Sequence, residues 1–338
     1  MRKVQFPMQR LYYLVIFLTG CCSLIYQVAW QRYLHILVGS EARSTTIIVA
    51  IFLTGLSCGY YGFGRLSLLY KNRNAFLKMY GYVEIATGMY ACLFPMLFTW
   101  VEQSTLASHP SLLSDFCIGM LLIFPPTVLM GATIPVMTTV LPSRNEAVNR
   151  GHAVIYGLNT LGAFAGVILA SFVLIIHLGL AQTLILTGLV NVLCGIVYGL
   201  NQLDGHIQKS DEMPIVTSNY SARDIYLLAF VSGLVSISLE MIWIRLLGLT
   251  IGSSFLVFPI ILSLFVLGLG IGSLTVREVS PKKLHKQFYL MLGGLVLSFL
   301  VVPYLPLWIS NMRVLLVSHI VTYYIFYFIV YIIRVVPQ

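Results

Sequence analysis

Residues 116–141, 152–177, 180–200 and 254–275 each run for more than twenty positions without an Asp, Glu, Lys or Arg. An uncharged apolar run of about 20 residues matches a helix crossing the hydrocarbon core of a bilayer. Six further apolar segments, at 11–31, 44–64, 79–101, 225–247, 288–309 and 313–333, bring the total to ten. Barrel strands would show stretches of about ten residues with alternating polarity, and these segments are continuous instead. A helix also satisfies its own backbone amides where no water is available. Composition excludes the water-soluble classes: 9% of residues are charged and 59% hydrophobic, against roughly a quarter charged in soluble domains. The reading is an all-α, polytopic transmembrane bundle. Ten spans leave little of the 338 residues for a catalytic domain of ordinary size.

Charge placement gives an orientation. With the N-terminus cytoplasmic, sixteen of the 20 Lys and Arg fall on cytoplasmic ends or loops. They are Arg2, Lys3 and Arg10; Arg65, Lys71, Arg73 and Lys78; Arg144 and Arg150; Lys209 and Arg223; Arg277, Lys282, Lys283 and Lys286; and Arg334. Only Arg32, Arg43, Arg245 and Arg313 lie outside. This is the positive-inside pattern, and it places both termini in the cytoplasm. The net charge of +9 therefore reports orientation, and the dispersed basic clusters do not read as a nucleic-acid surface.

A basic start followed by an apolar run resembles a signal peptide, and Leu18-Thr19-Gly20-Cys21 has the look of a lipoprotein processing site. The run continues past Cys21 to Trp30, longer than a signal core, so an uncleaved first helix is expected. All six cysteines fall inside spans and none forms a paired-thiol spacing. They read as buried free thiols, and neither they nor the seven scattered histidines predict a metal or cofactor site.

The chain repeats itself. With Gly20 set against Gly233, Ser23 meets Ser236, Trp30 meets Trp243, Arg32 meets Arg245, and Gly39-Ser40 meets Gly252-Ser253. Phe52, Gly55 and Gly59 then meet Phe265, Gly268 and Gly272, and Pro95 with Trp100 corresponds to Pro303 with Trp308. The copies start six spans apart, an even number, so they share one orientation, as do the two halves of major-facilitator transporters. This predicts a first repeat of six helices over 1–200, a solvated cytoplasmic linker over 201–224, and a shortened second repeat of four helices over 225–338. The four Trp residues are expected in the outer interfacial belt. The pairs Gly55/Gly59, Gly162/Gly166 and Gly268/Gly272 are expected to allow close helix packing.

Gly20 through Gly64, containing Tyr26-Gln27-Val28-Ala29-Trp30-Gln31-Arg32 and Gly55-Leu56-Ser57-Cys58-Gly59, resembles the first two helices of bacterial fused MFS/spermidine synthase proteins. Pro126-Thr127-Val128-Leu129-Met130-Gly131-Ala132-Thr133-Ile134-Pro135 is similar to the family's fourth helix. Tyr156-Gly157-Leu158-Asn159-Thr160-Leu161-Gly162-Ala163 is similar to its fifth, and Glu84 with Gly88-Met89-Tyr90-Ala91 to its third. The resemblance implies an MFS-like membrane domain. It also implies a soluble aminopropyltransferase-like domain with a Gly-rich nucleotide-binding turn. The 338 residues contain no strand followed by G-x-G-x-x-G, so no catalytic residues are carried over and a non-catalytic role is expected. Gln27 stands where the family tends to have Glu, while Glu240 keeps the acid in the second copy.

Ionisable groups in hydrocarbon cost about 2.5–3.5 kcal/mol on insertion scales and so mark candidate sites. Glu240 lies deepest. Arg245, five positions on, is about 140° away around an ideal helix and does not share its face. A pair between Glu240 and Arg32 across the two copies is one expectation. The other is that the arginines snorkel to headgroups while Glu240 accepts hydrogen bonds from neighbouring helices. Glu84, six residues after Lys78, is expected to reach basic loop residues at the cytoplasmic interface. Pro125-Pro126 and Pro135 are expected to interrupt the fourth segment. The repeat-related clusters Arg65, Lys71, Arg73, Lys78 and Arg277, Lys282, Lys283, Lys286 suit anionic lipid or a docked cytoplasmic protein. Two function classes follow. One is a membrane module that assembles with another protein, such as a separately encoded spermidine synthase-like enzyme. The other is a carrier for a polyamine or other cation.

Overall fold

The computed structural model describes residues 5–69, 72–105, 111–140, 148–200, 222–251 and 256–275, with single positions 293, 296, 300, 304 and 307. Among them all regular structure is helical: α1 (Gln5–Val38), α2 (Glu41–Leu69), α3 (Arg73–Thr105), α4 (Leu112–Met130), α5 (Thr133–Val140), α6 (Val148–Leu169), α7 (Ile175–Leu200), α8 (Ala222–Ile251) and α9 (Val257–Thr275). A π-helical turn, Ala170–Leu174, joins α6 to α7. Among the described residues seven continuous helical stretches are long and apolar enough to cross a membrane. The stretch Ala153–Leu200 has 48 residues, about 72 Å of helix against a core of about 30 Å. Gly179 divides it, at φ 77° and ψ 177°, where the expected segments 152–177 and 180–200 meet. The segment 313–333 lies outside the described residues, as does 288–309 apart from the five single positions. So does the expected linker up to residue 221, with α8 starting at Ala222.

Local chemistry sets the helix ends. Gly39, at φ 66°, closes α1 by donating its amide to the His35 carbonyl at 2.9 Å, a left-handed cap that glycine adopts without a Cβ penalty. Asn72 Oδ1 accepts the amides of Asn74 at 2.9 Å and Ala75 at 3.2 Å, capping α3. Ser111 and Ser114 form a reciprocal capping box at the start of α4.

Pro125 and Pro126 do not break α4, contrary to expectation; both sit inside it. Pro126 has no amide proton for the Leu122 carbonyl four residues back. The Tyr90 hydroxyl of α3 supplies that donor at 2.7 Å. The interruption comes after Met130, where a turn at Gly131-Ala132 leads into α5. Pro135 then falls in the first turn of α5, where an amide is least needed.

The chain forms two compact units. One draws on Met1–Ala29, Ser143–Thr183 and Gly248–Gln338. Within it α6 packs on α1 and α9. A Cβ on Gly162 would strike the Phe17 backbone and one on Gly166 the Cys21 backbone, and Asn159 Nδ2 donates to the Ile16 carbonyl at 3.3 Å. The pair Gly268/Gly272 does not share this role. Both positions are open, and Gly270 instead faces Leu161, 3.1 Å from its would-be Cβ.

The second unit draws on Trp30–Pro142 and Leu184–Leu247. Here Gly55 and Gly59 of α2 meet Thr127, Val128 and Gly131 at the end of α4, as the small-residue spacing predicts. Trp30 is fully buried against Phe94, ring centroids 5.5 Å apart, and Trp243 is also buried. These two therefore belong to the core and not to the expected interfacial belt. Trp100 is exposed, and Trp308 lies outside the described residues. Cys21, Cys22 and Cys194 are buried, but Cys58 and Cys117 are exposed, contrary to expectation.

Candidate functional site

Glycines on α3 and α7 bring two polar side chains together. A Cβ on Gly81 would lie 2.7 Å from the Gly195 carbonyl oxygen, and one on Gly195 2.6 Å from that of Gly81. Gly88 and Gly188 repeat the relation one heptad away, at 2.5 and 2.6 Å. The backbones of α3 and α7 thus approach as closely as side chains would forbid. Glu84 lies between the two glycines of α3 and Asn191 between those of α7.

Asn191 Nδ2 donates to the Glu84 backbone carbonyl at 3.1 Å, and its side chain stands beside the Glu84 carboxyl. Tyr80, one turn before Glu84, donates its hydroxyl to Oε1. From α5, Thr133 Oγ1 lies 2.9 Å from the Tyr80 hydroxyl, 3.5 Å from Glu84 Oε1 and 3.1 Å from the Met130 carbonyl. Tyr198 packs edge-on against Tyr80 at 4.9 Å, and the Cys194 thiol stands near the carboxyl. All four polar residues are buried, with Glu84 5% and Asn191 1% exposed. One acceptor is left over: Asn191 Oδ1 is buried and has no hydrogen-bond partner among the described residues.

This corrects the sequence reading of Glu84. Lys78 is exposed and does not reach it; the carboxyl points into the helix packing, where hydroxyls and an amide stand in for water. Tyr80, Thr133 and Asn191 went unrecognised as site residues. Tyr80 had a signal, being four residues from Glu84 and so on the same helix face. Asn191, an amide in the middle of an uncharged span, had another. Their convergence depends on long-range packing and had none.

The deep acid of α8 behaves differently. Glu240 is half-buried, and its buried Oε1 accepts no hydrogen bond from the described residues. Arg245 is exposed, as its different helix face implies. The expected pair with Arg32 is not formed. Arg32 is half-buried and interacts electrostatically with Glu41 at the start of the next helix. Gln27 is buried in α1. Gln31, not singled out in the sequence, donates Nε2 to Thr45 Oγ1 at 3.1 Å and Ser44 Oγ at 3.3 Å, tying α1 to α2.

Of the basic candidates, Arg65 is exposed and stacks over the Tyr61 ring at 4.8 Å. Lys78 is exposed, and Arg73 opens α3. Lys71, Arg277, Lys282, Lys283 and Lys286 lie outside the described residues. Among the described residues no cluster of three or more His, Cys, Asp or Glu could hold a metal ion.

No protein-family model matches the chain, and no solved structure matches it. Over 185 residues it is 21% identical to "Polyamine aminopropyltransferase 1" of Streptomyces coelicolor, covering 54% of this chain and 32% of that protein. The chain therefore spans about a third of the length of this curated relative.

Proposed function

We propose that the chain is a non-catalytic membrane module that assembles with a protein partner, and that the partner is a spermidine synthase-like enzyme. The observation that carries this reading is the surface of α8. Tyr226, Leu227, Phe230 and Leu234 are exposed along it, and the same helix carries the Glu240 oxygen that meets no donor among the described residues. A buried unpaired acceptor costs about 1–3 kcal/mol, and lipid tails offer it no donor. A partner helix bearing a hydroxyl, amide or cation at that depth would satisfy it once the half-buried Glu240 side chain turns outward. The choice of enzyme follows from the partial likeness to a polyamine aminopropyltransferase, of which this chain matches the smaller part. In this reading the bundle is MFS-like, with ten spans in a parallel six-plus-four repeat, set in a bacterial inner membrane with its basic loops in the cytoplasm. Each copy opens with a long helix and a shorter apolar one: α1 and α2 in the first, α8 and α9 in the second. Purification from the native membrane in mild detergent should yield a stoichiometric aminopropyltransferase-like partner, lost on Glu240→Leu. A lone chain at every detergent strength would refute the assembly.

A second reading has its own observation. The Glu84 cluster places a carboxyl, two hydroxyls and an amide inside the spans, and buried polar groups of this kind line carrier pathways. A cation or polyamine carrier would show uptake into liposomes that Glu84→Ala or Glu240→Ala abolishes.

A further inference from the structure

The hydrogen-bond inventory around Glu84 leaves one buried acceptor unserved among the described residues. The Tyr80 and Thr133 hydroxyls carry one proton each, and both serve Glu84 Oε1, each other or the Met130 carbonyl. One amide proton of Asn191 serves the Glu84 carbonyl, which fixes that amide's orientation, since the flipped form would set oxygen against oxygen. Asn191 Oδ1 is then left beside a carboxyl group with nothing to accept from. An unserved acceptor beside a carboxyl group, buried in a low-dielectric interior, is what a small positive ion completes.

We propose that Glu84 and Asn191 form a binding site for one small hard monovalent cation, a proton or a sodium ion. As a proton, it sits on the Glu84 carboxyl, which then donates to Asn191 Oδ1. As sodium, it is held by oxygens of Glu84, Asn191 and Thr133, the ligand type a hard cation prefers. The titratable groups facing the carboxyl are Tyr80 from α3 itself and Tyr198 and Cys194 from α7, while α5 presents the neutral Thr133. No fixed cation of the described residues is among them, so the ion has no competitor from a lysine or arginine. Because the site joins α3, α5 and α7, its occupancy sets how firmly these helices hold together. It goes beyond the assembly reading, and its failure would leave the α8 interface standing.

The test uses the full chain in detergent or nanodiscs. Its thermal unfolding midpoint is followed against sodium at constant ionic strength, with choline as the replacement, and separately between about pH 5 and pH 9 without sodium. A ligand at a hundredfold excess over its dissociation constant should raise the midpoint by several degrees. A response to sodium assigns sodium; a response to acid alone assigns the proton. Glu84→Gln, whose amide can donate to Asn191 Oδ1, should remove the response without lowering the ion-free midpoint. If that variant does not fold, difference infrared spectra of a Glu240→Gln chain decide between the arms. A carboxyl band that appears on acidification identifies the proton, and carboxylate bands that shift on adding sodium identify the metal ion. A midpoint and a spectrum indifferent to both ions would overturn the proposal, as would a Glu84→Gln chain with the wild-type response.

Discussion

Replacing Gly88 with alanine tests the seam between α3 and α7. The new Cβ would lie 2.5 Å from the Gly188 carbonyl oxygen, 2.8 Å from Val192 Cγ2 and 2.9 Å from the Val192 amide nitrogen. An ordinary carbon–oxygen contact is about 3.3–3.6 Å, so the backbones must separate by roughly 0.8–1 Å. The bond from Asn191 to the Glu84 carbonyl, now 3.1 Å, would stretch to about 4 Å and be lost. Overpacking of this kind costs about 1–3 kcal/mol, and a lost interhelical bond in a membrane protein adds about 0.6–1.7 kcal/mol. The expected destabilisation is about 2–4 kcal/mol, read from reversible unfolding in mixed detergent–dodecyl sulfate micelles. Gly62 is the internal control: it is helical, and a Cβ there meets nothing within 4 Å. Gly62→Ala should gain up to about 1 kcal/mol from helix propensity. If Gly88→Ala lay within about 0.5 kcal/mol of wild type, or shifted the same way as Gly62→Ala, the close approach would be wrong.

Tyr80→Phe should cost about 1–3 kcal/mol in the same assay, since it strips a donor from a buried carboxyl, while Tyr61→Phe on the exposed face should change little; equal effects would dismiss the Glu84 cluster. Tyr90→Phe should cost about 0.5–1.5 kcal/mol, and less in a Pro126→Ala background, where residue 126 regains the amide that serves Leu122. An unchanged cost in that background would mean the hydroxyl does not substitute for the missing amide. Alkaline phosphatase fused after residue 107 should be active and after residue 71 inactive, and the reverse would invert the topology.

The helices were legible because hydrophobic runs in a membrane protein are long and their boundaries chemical. The joint at Gly179 was visible as a two-residue gap between segments, and the Gly55/Gly59 and Gly162/Gly166 contacts as four-residue spacings. Gly81/Gly88 with Gly188/Gly195 was missed because its period is seven and the partner glycines stand about a hundred positions away. The depth of Glu84 was misjudged by counting residues from Lys78, which measures distance along one helix and says nothing of what packs beside it. Trp30 was placed in the belt on chemistry that suits any tryptophan, and Phe94 removed it. The fourth segment shows the same limit. Two prolines signal a broken helix, but a tyrosine from another helix mends it.

The reciprocal glycines of α3 and α7 leave no slack in either direction. Each backbone is the other's stop, at two levels one heptad apart, so sliding or rotation along that line would collide before it travelled an ångström. If this molecule changes shape as it works, α3 and the part of α7 after Gly179 travel as one stiff plank, and flexing is left to weaker joints such as Gly179 and the turn at Gly131-Ala132.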